Sequence, residues 1–245
     1  MAVSLDKHGR VEVNESLIVS INRSFLVEHE FNKRPVSAFK GIVPIGRNLN
    51  KEKADVYEAA IEENDAFWLG FEAKNEHVFA IIPCLDNHQA ITGKSCESPI
   101  LEFDPPNFLI VPDQPWFDCV FDQNEGFCQL VPEFPTSASK KGRAAVKEIR
   151  LLIYRLDVKP DKVKSANTYK PNPLYSEGTE DSESIHPSHI WNRRSLADTP
   201  IQSLPIADLI FQIVDREMFQ TNTGIILPSA SFDNKQNKLP HNPFE

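Results

Sequence analysis

Glycine is scarce, with 9 in 245 residues, about half the usual ~7% share. Tight hairpins of the primed types need positive φ, which glycine adopts most readily, so few of them are expected. With so few glycines, neither a Walker loop nor a dinucleotide-binding G-x-G-x-x-G can be drawn. No apolar run approaches the ~18 residues of a membrane span. Positive charge is in deficit: 26 Lys+Arg stand against 35 Asp+Glu, for a formal charge of -9 and a pI near 5.3. A surface of that sign repels phosphate backbones, which excludes broad binding to nucleic acid or anionic membranes. Cysteine is limited to Cys84, Cys96, Cys119 and Cys128, and none forms a CxxC pair, so no structural zinc is expected. Residues 1–10 are polar and charged, without the apolar core of a signal peptide. On these grounds we expect four reduced, buried thiols and a cytoplasmic location.

What is present is an ordinary globular composition, 40% apolar and 25% charged, in a length that fits one large domain or two small ones. The 19 prolines exceed the usual ~5% share and point to extended connections and strand ends. Short apolar segments bounded by turn residues predict strands over 16–22, 67–73, 77–84, 107–112, 117–121, 127–131 and 149–156, with a weaker one over 39–45. In 149–156 both alternate faces are covered, which predicts a central strand. The spacing of Ala54, Tyr57, Ala60 and Ile61 predicts a short surface helix over 51–64, capped by Asn48 or Asn50. In 206–219, Ile206, Leu209, Ile210, Ile213, Val214 and Met218 fit a helix stripe, while 209–214 also reads as a strand; a strand followed by a helical turn is favoured. Asp86…Thr92-Gly93 and Asp215…Thr223-Gly224 share an order that suggests two related substructures. The reading is a mainly β, sandwich-like fold of jelly-roll type, with antiparallel sheets and minor helix. Its core spans 1–158, a long polar loop 159–200, a returning strand and turn 201–228, and an extended tail 229–245.

Four stretches together have the look of a known group. They are Phe67-Trp68-Leu69-Gly70-Phe71-Glu72-Ala73, Ile91-Thr92-Gly93, Val111-Pro112-Asp113-Gln114-Pro115-Trp116-Phe117-Asp118 and Phe127-Cys128-Gln129-Leu130-Val131. The chain resembles a group of uncharacterised bacterial proteins, with some fungal relatives, that carry Leu-Trp-Leu-Gly-Phe-Glu-Ala, Thr-Gly, Pro-Asp-Gln-Pro-Trp-Leu-Asp-Gly and Gln-Phe-Val segments. Cys119 stands where that group has a glycine. The resemblance implies a shared β fold and no particular chemistry.

Two constellations could carry chemistry. Asp113 and Asp118 flank Trp116, and a carboxylate pair beside an aromatic platform suits sugar binding or glycoside cleavage. On a strand, Trp68, Gly70 and Glu72 share one face with a notch over the glycine, where a ligand could sit. The structural reading is preferred for both: a turn Asp accepts backbone N–H groups, a Trp packs, and another ring fills the notch. His186 and His189 lie in the polar loop without an identifiable third ligand, so no metal is expected. His77 and His88 could support Cys84, Cys96 or Ser95 as a nucleophile, but no catalytic signature surrounds them. The basic cluster Lys140-Lys141-Gly142-Arg143, with Lys147, reads as a solvated hairpin tip. No catalytic residue and no cofactor are expected. The leading function is a non-catalytic intracellular binding or assembly module that engages a protein partner or a copy of itself. The alternative is a carbohydrate-binding or carbohydrate-processing β-sandwich using Trp68, Glu72, Asp113, Trp116 and Asp118.

Overall fold

Alternation of apolar and polar residues along paired strands builds two sheets that face each other across one core. The computed structural model describes residues 2–27, 39–51, 55–97, 100–103, 106–134, 141–157 and 204–228. Sheet A contains β1 (Val3–Leu5), β2 (Val11–Val13), β3 (Leu17–Phe25), β7 (Asp65–Ala73) and β11 (Trp116–Phe117) in that order, with β4 (Gly41–Ile42) also paired to β3. Sheet B runs β10 (Leu109–Val111), β8 (Val78–Leu85), β15 (Glu148–Leu156), β16 (Ala207–Val214), β6 (Val56–Ala60) and β5 (Ile45–Arg47), with β9 (His88–Gln89) on β8. A third sheet joins β12 (Cys119–Asp122), β13 (Gly126–Pro132) and β14 (Arg143–Val146). Among the described residues a single helix, α1 (Arg216–Thr223), follows β16 directly, as expected. The fold is mainly β and sandwich-like. Pairing is antiparallel except where β16 meets β6 and β13 meets β14.

The core lies between the two large sheets. Sheet A contributes Leu17, Val19, Ile21, Phe67, Leu69 and Phe71, and sheet B contributes Tyr57, Phe79, Ile81, Leu151, Ile153, Leu209 and Phe211. Each such side chain adds about 1.5–3 kcal/mol of transfer free energy when fully buried. β15 is central in sheet B, between β8 and β16, and its other face is buried as well, through Leu152, Tyr154 and Leu156. The expected weak strand 39–45 divides at Val43-Pro44: β4 pairs in sheet A and β5 in sheet B, so the chain changes sheets there. The expected strand 117–121 also divides, at Asp118, between β7 and β13.

Several expectations are corrected. The helix over 51–64 is not formed where the structure describes it. Val56–Ala60 is a strand with all five residues buried, laid parallel against β16, and burial on both faces outweighs a weak local helical spacing. Asn48 accordingly caps no helix; Asn50 N donates to its Oδ1 at 2.8 Å. Primed hairpins form without glycine: Asn14-Glu15, Asn75-Glu76 and Asp86-Asn87 take positive φ at both central positions of their turns. The Asp…Thr-Gly likeness is not a repeat. Asp215 caps α1, accepting from Met218 N at 2.8 Å, and Gly224 closes it in the left-handed region at φ 70. Asp86 instead sits in the turn between β8 and β9 and accepts from Lys147 N and Glu148 N. Lys141-Gly142 precedes a strand laid parallel to β13, so the basic cluster is no hairpin tip. Loop 159–200, the tail 229–245 and His186 with His189 lie outside the described residues.

The cysteine expectation also changes. Cys84 and Cys96 form a disulfide, while Cys119 and Cys128 are free and buried. The pairing is invisible in sequence because it needs β9 to turn back on β8, bringing the two Cα atoms within 6.4 Å. It ties the segment after Cys96 over the outward face of sheet B. There Phe108, Leu101 and Phe103 pack with Val78, Ala80, Ile82, Ile110, Leu152 and Tyr154 in a second apolar layer. Arg150 supports the crossing, donating from Nη1 to Cys96 O at 2.8 Å and pairing through Nε with Asp208 Oδ1 at 2.8 Å.

At one end of the main core, Arg23 and Asp65 are both buried. Arg23 Nε donates to Asp65 Oδ2 at 2.5 Å, and Lys40 Nζ pairs with Oδ1. Removing that carboxylate strands buried positive charge, so Asp65→Asn should cost about 3–5 kcal/mol in urea unfolding. Denatured, unreduced protein should react with alkylating reagent at Cys119 and Cys128 only. The paired change Cys84→Ala with Cys96→Ala should cost about 3 kcal/mol, from loop-closure entropy over so short a loop; four reactive thiols would contradict the bond.

Candidate functional site

β7 sends Phe67, Leu69 and Phe71 to the core and Trp68, Gly70 and Glu72 to the other side. On that outer side Asn22 lies opposite Trp68 and Ser20 opposite Gly70 on β3, with Trp116 opposite Gly70 on β11. The structure therefore places Trp68, Gly70 and Glu72 on one face, as strand spacing expects, and the pairing of β11 with β7 adds Trp116 opposite Gly70. The notch over Gly70 is filled. A Cβ there would lie 2.7 Å from Ser20 Oγ, 2.9 Å from Asn22 Nδ2 and 3.3 Å from Cζ3 of Trp68. Trp68 is 6% exposed, and its indole N–H is buried with no hydrogen-bond partner. Glu72 does not join it. Its side chain is 61% exposed and sits 3.5 Å from Arg10 Nη1. Asp118 is buried, while Asp113 and Trp116 are half-buried.

The other candidates disperse. Cys84 and Cys96 are consumed by their disulfide, so neither is a free nucleophile. His88 Nδ1 lies 3.0 Å from Asp86 O, and His77 Nδ1 lies 3.0 Å from Arg155 Nη2. Among the described residues no group of three His, Cys, Asp or Glu side chains is placed to hold a metal.

A cluster that sequence reasoning missed lies where α1 meets sheet B. Glu58, 1% exposed, accepts on Oε1 from Asn48 Nδ2 at 2.5 Å and from Asn222 Nδ2 at 2.7 Å, while Oε2 is buried and has no partner. Burial raises its carboxyl above the ordinary value, and the two amide donors offset only part of that. Gly46, opposite Glu58 on β5, admits the helix end: a Cβ there would lie 2.7 Å from Thr223 Cγ2 and 2.9 Å from Ile225 Cδ1. Leu49 N donates to Asn222 O at 3.0 Å, so the turn after β5 is tied to α1. Around the Gly224 cap, Leu49 is 71% and Ile226 87% exposed, with Ile225 exposed between Gly224 and Ile226. The helical spacing of 51–64 had assigned Glu58 to a solvent face. Only the pairing of β6 with β16 shows it to be buried.

The filled notch yields a direct test. Gly70→Ala forces atoms of Ser20 and Asn22 aside and should cost about 1–3 kcal/mol in thermal or urea unfolding, whereas Glu72→Gln should stay within about 0.5 kcal/mol of the parent. Comparison with protein-family models, with curated proteins and with solved structures returned no match.

Proposed function

We propose that the chain is a non-catalytic binding or assembly module that engages a protein partner through the apolar corner of Leu49, Ile225 and Ile226. The observation that carries this reading is the exposure of these side chains around the helix end, since exposed apolar groups gathered in one place mark interaction surfaces. The corner is held by the Leu49–Asn222 backbone bond, the Gly46 contact and the Glu58 network, which favours a preorganised surface.

The residues of the carbohydrate alternative support it less well. A sugar platform needs an open ring face, and Trp68 is buried against Gly70 while Glu72 turns to Arg10. No helix among the described residues is long and apolar enough to cross a membrane. A cytoplasmic location was expected together with four reduced thiols, and the Cys84–Cys96 bond departs from the second of these.

Photo-crosslinking tests the corner. A benzophenone amino acid at position 226 should give a discrete adduct in native cells, and one at Glu76, exposed on the β7–β8 turn, should not. Leu49→Glu should abolish the adduct with stability held within about 0.5 kcal/mol. An adduct of twice the chain mass would identify a second copy as the partner. No adduct at 226, or equal adducts at both positions, would overturn the proposal.

A further inference from the structure

Glu58 is a carboxyl sealed under two pieces that are not strands of sheet B. Its register neighbours, Gly46 on β5 and Gln212 on β16, are fixed by sheet pairing. The remaining cover is Asn48, in the turn after β5, and Asn222, in the last turn of α1. Lys51, beyond that turn, is the cation that acts on it. On α1 the charged residues Arg216 and Glu217 occupy the first turn, and Arg216 Nε faces Glu62 Oε1 at 3.9 Å. Two amides satisfy one carboxyl oxygen and nothing satisfies the other.

We infer that Glu58 is the pin of a pH-sensitive latch, in which the last turn of α1 and the turn after β5 close over the neutral carboxyl and loosen when it ionises. An anion with one dry oxygen must be hydrated, and water reaches it most cheaply by displacing the Asn48 and Asn222 covers rather than by breaking sheet B. The direction follows from linkage. The folded carboxyl titrates above its ordinary value of 4.5, so the folded state binds more protons than the unfolded chain. The stability Glu58 contributes is complete below that ordinary value and is lost as pH rises through the folded one. The latch carries Leu49 and Ile225, so its consequence for docking rests on the function proposed above, although the latch itself does not.

Amide hydrogen exchange on the full chain, read by NMR as protection factors from about pH 5 to about pH 8, tests it. Protection of the Leu49 and Gly224 amides, which bond Asn222 O and Gln220 O, should fall as pH rises, while central β15 amides hold theirs. Glu58→Gln should make the Leu49 and Gly224 profiles flat. If that variant does not fold, the carboxyl carbon shift of Glu58 in the parent protein must titrate over the same range as the loss of protection. Parallel loss across the sheet, unchanged protection at Leu49 and Gly224, or a carboxyl titration displaced from the protection change would overturn the latch. The two proposals fail separately: a missing adduct at position 226 with pH-dependent protection intact refutes docking alone, and flat protection with a persistent adduct refutes the latch alone.

Discussion

Sheet B is apolar on both faces, and the need to cover the second face organises two of the described segments outside the main sandwich. One set of its side chains interlocks with sheet A, as any two-layer sandwich requires. The alternate set, running through Val78, Ala80, Ile82, Leu152, Tyr154 and Leu156, would otherwise meet water. Two separate covers answer it. Cys96, Leu101, Phe103 and Phe108 lie over β8, β10 and β15, and α1 lies over the β6 and β16 end through Phe219, with Ala60, Val214 and Leu227.

Each cover needs its own fastening, because neither is a strand of the sheet. The first is held covalently by Cys84–Cys96 and by Arg150, which reaches from β15 to the Cys96 carbonyl while paired with Asp208. The second is held by polar contacts: the Asp215 cap, the Glu58 carboxyl beneath Asn222, and close packing over Gly46. A covalent fastening is insensitive to pH and a carboxyl fastening is not. The helix cover thus carries the titratable fastening, and exposed apolar side chains occur at both covers, Ile100 at the first and Ile225 and Ile226 at the second.

The outer face of sheet A follows a different logic. There the side chains of Ser20, Asn22, Ser24, Ala66 and Gly70 are small or polar, Ile18 is the apolar exception on β3, and Trp68 lies against the glycine. A strand glycine that admits a neighbouring ring is a packing device, which is why two tryptophans on one face do not by themselves make a sugar platform.

Much of the strand framework was legible locally. Period-two alternation in 16–22, 67–73 and 149–156 reports on each strand alone, so β3, β7 and β15 could be placed, and two covered faces marked β15 as central. Asp215 and Gly224 read in sequence as half of a repeat, whereas the structure makes them the two caps of α1. Trp68, Gly70 and Trp116 could be named, yet whether the notch was open depended on Ser20 and Asn22, some fifty residues away in sequence. Scarce glycine misled about the hairpins because Asn, Asp and Glu accept positive φ at a modest energetic cost when the strands they join are well paired. Val56–Ala60 became a strand, Glu58 a buried acid and Cys84 a partner of Cys96 only through contacts between distant segments. Local pattern sets what a segment can do, whereas burial and partnership are properties of whatever the assembled chain lays beside it.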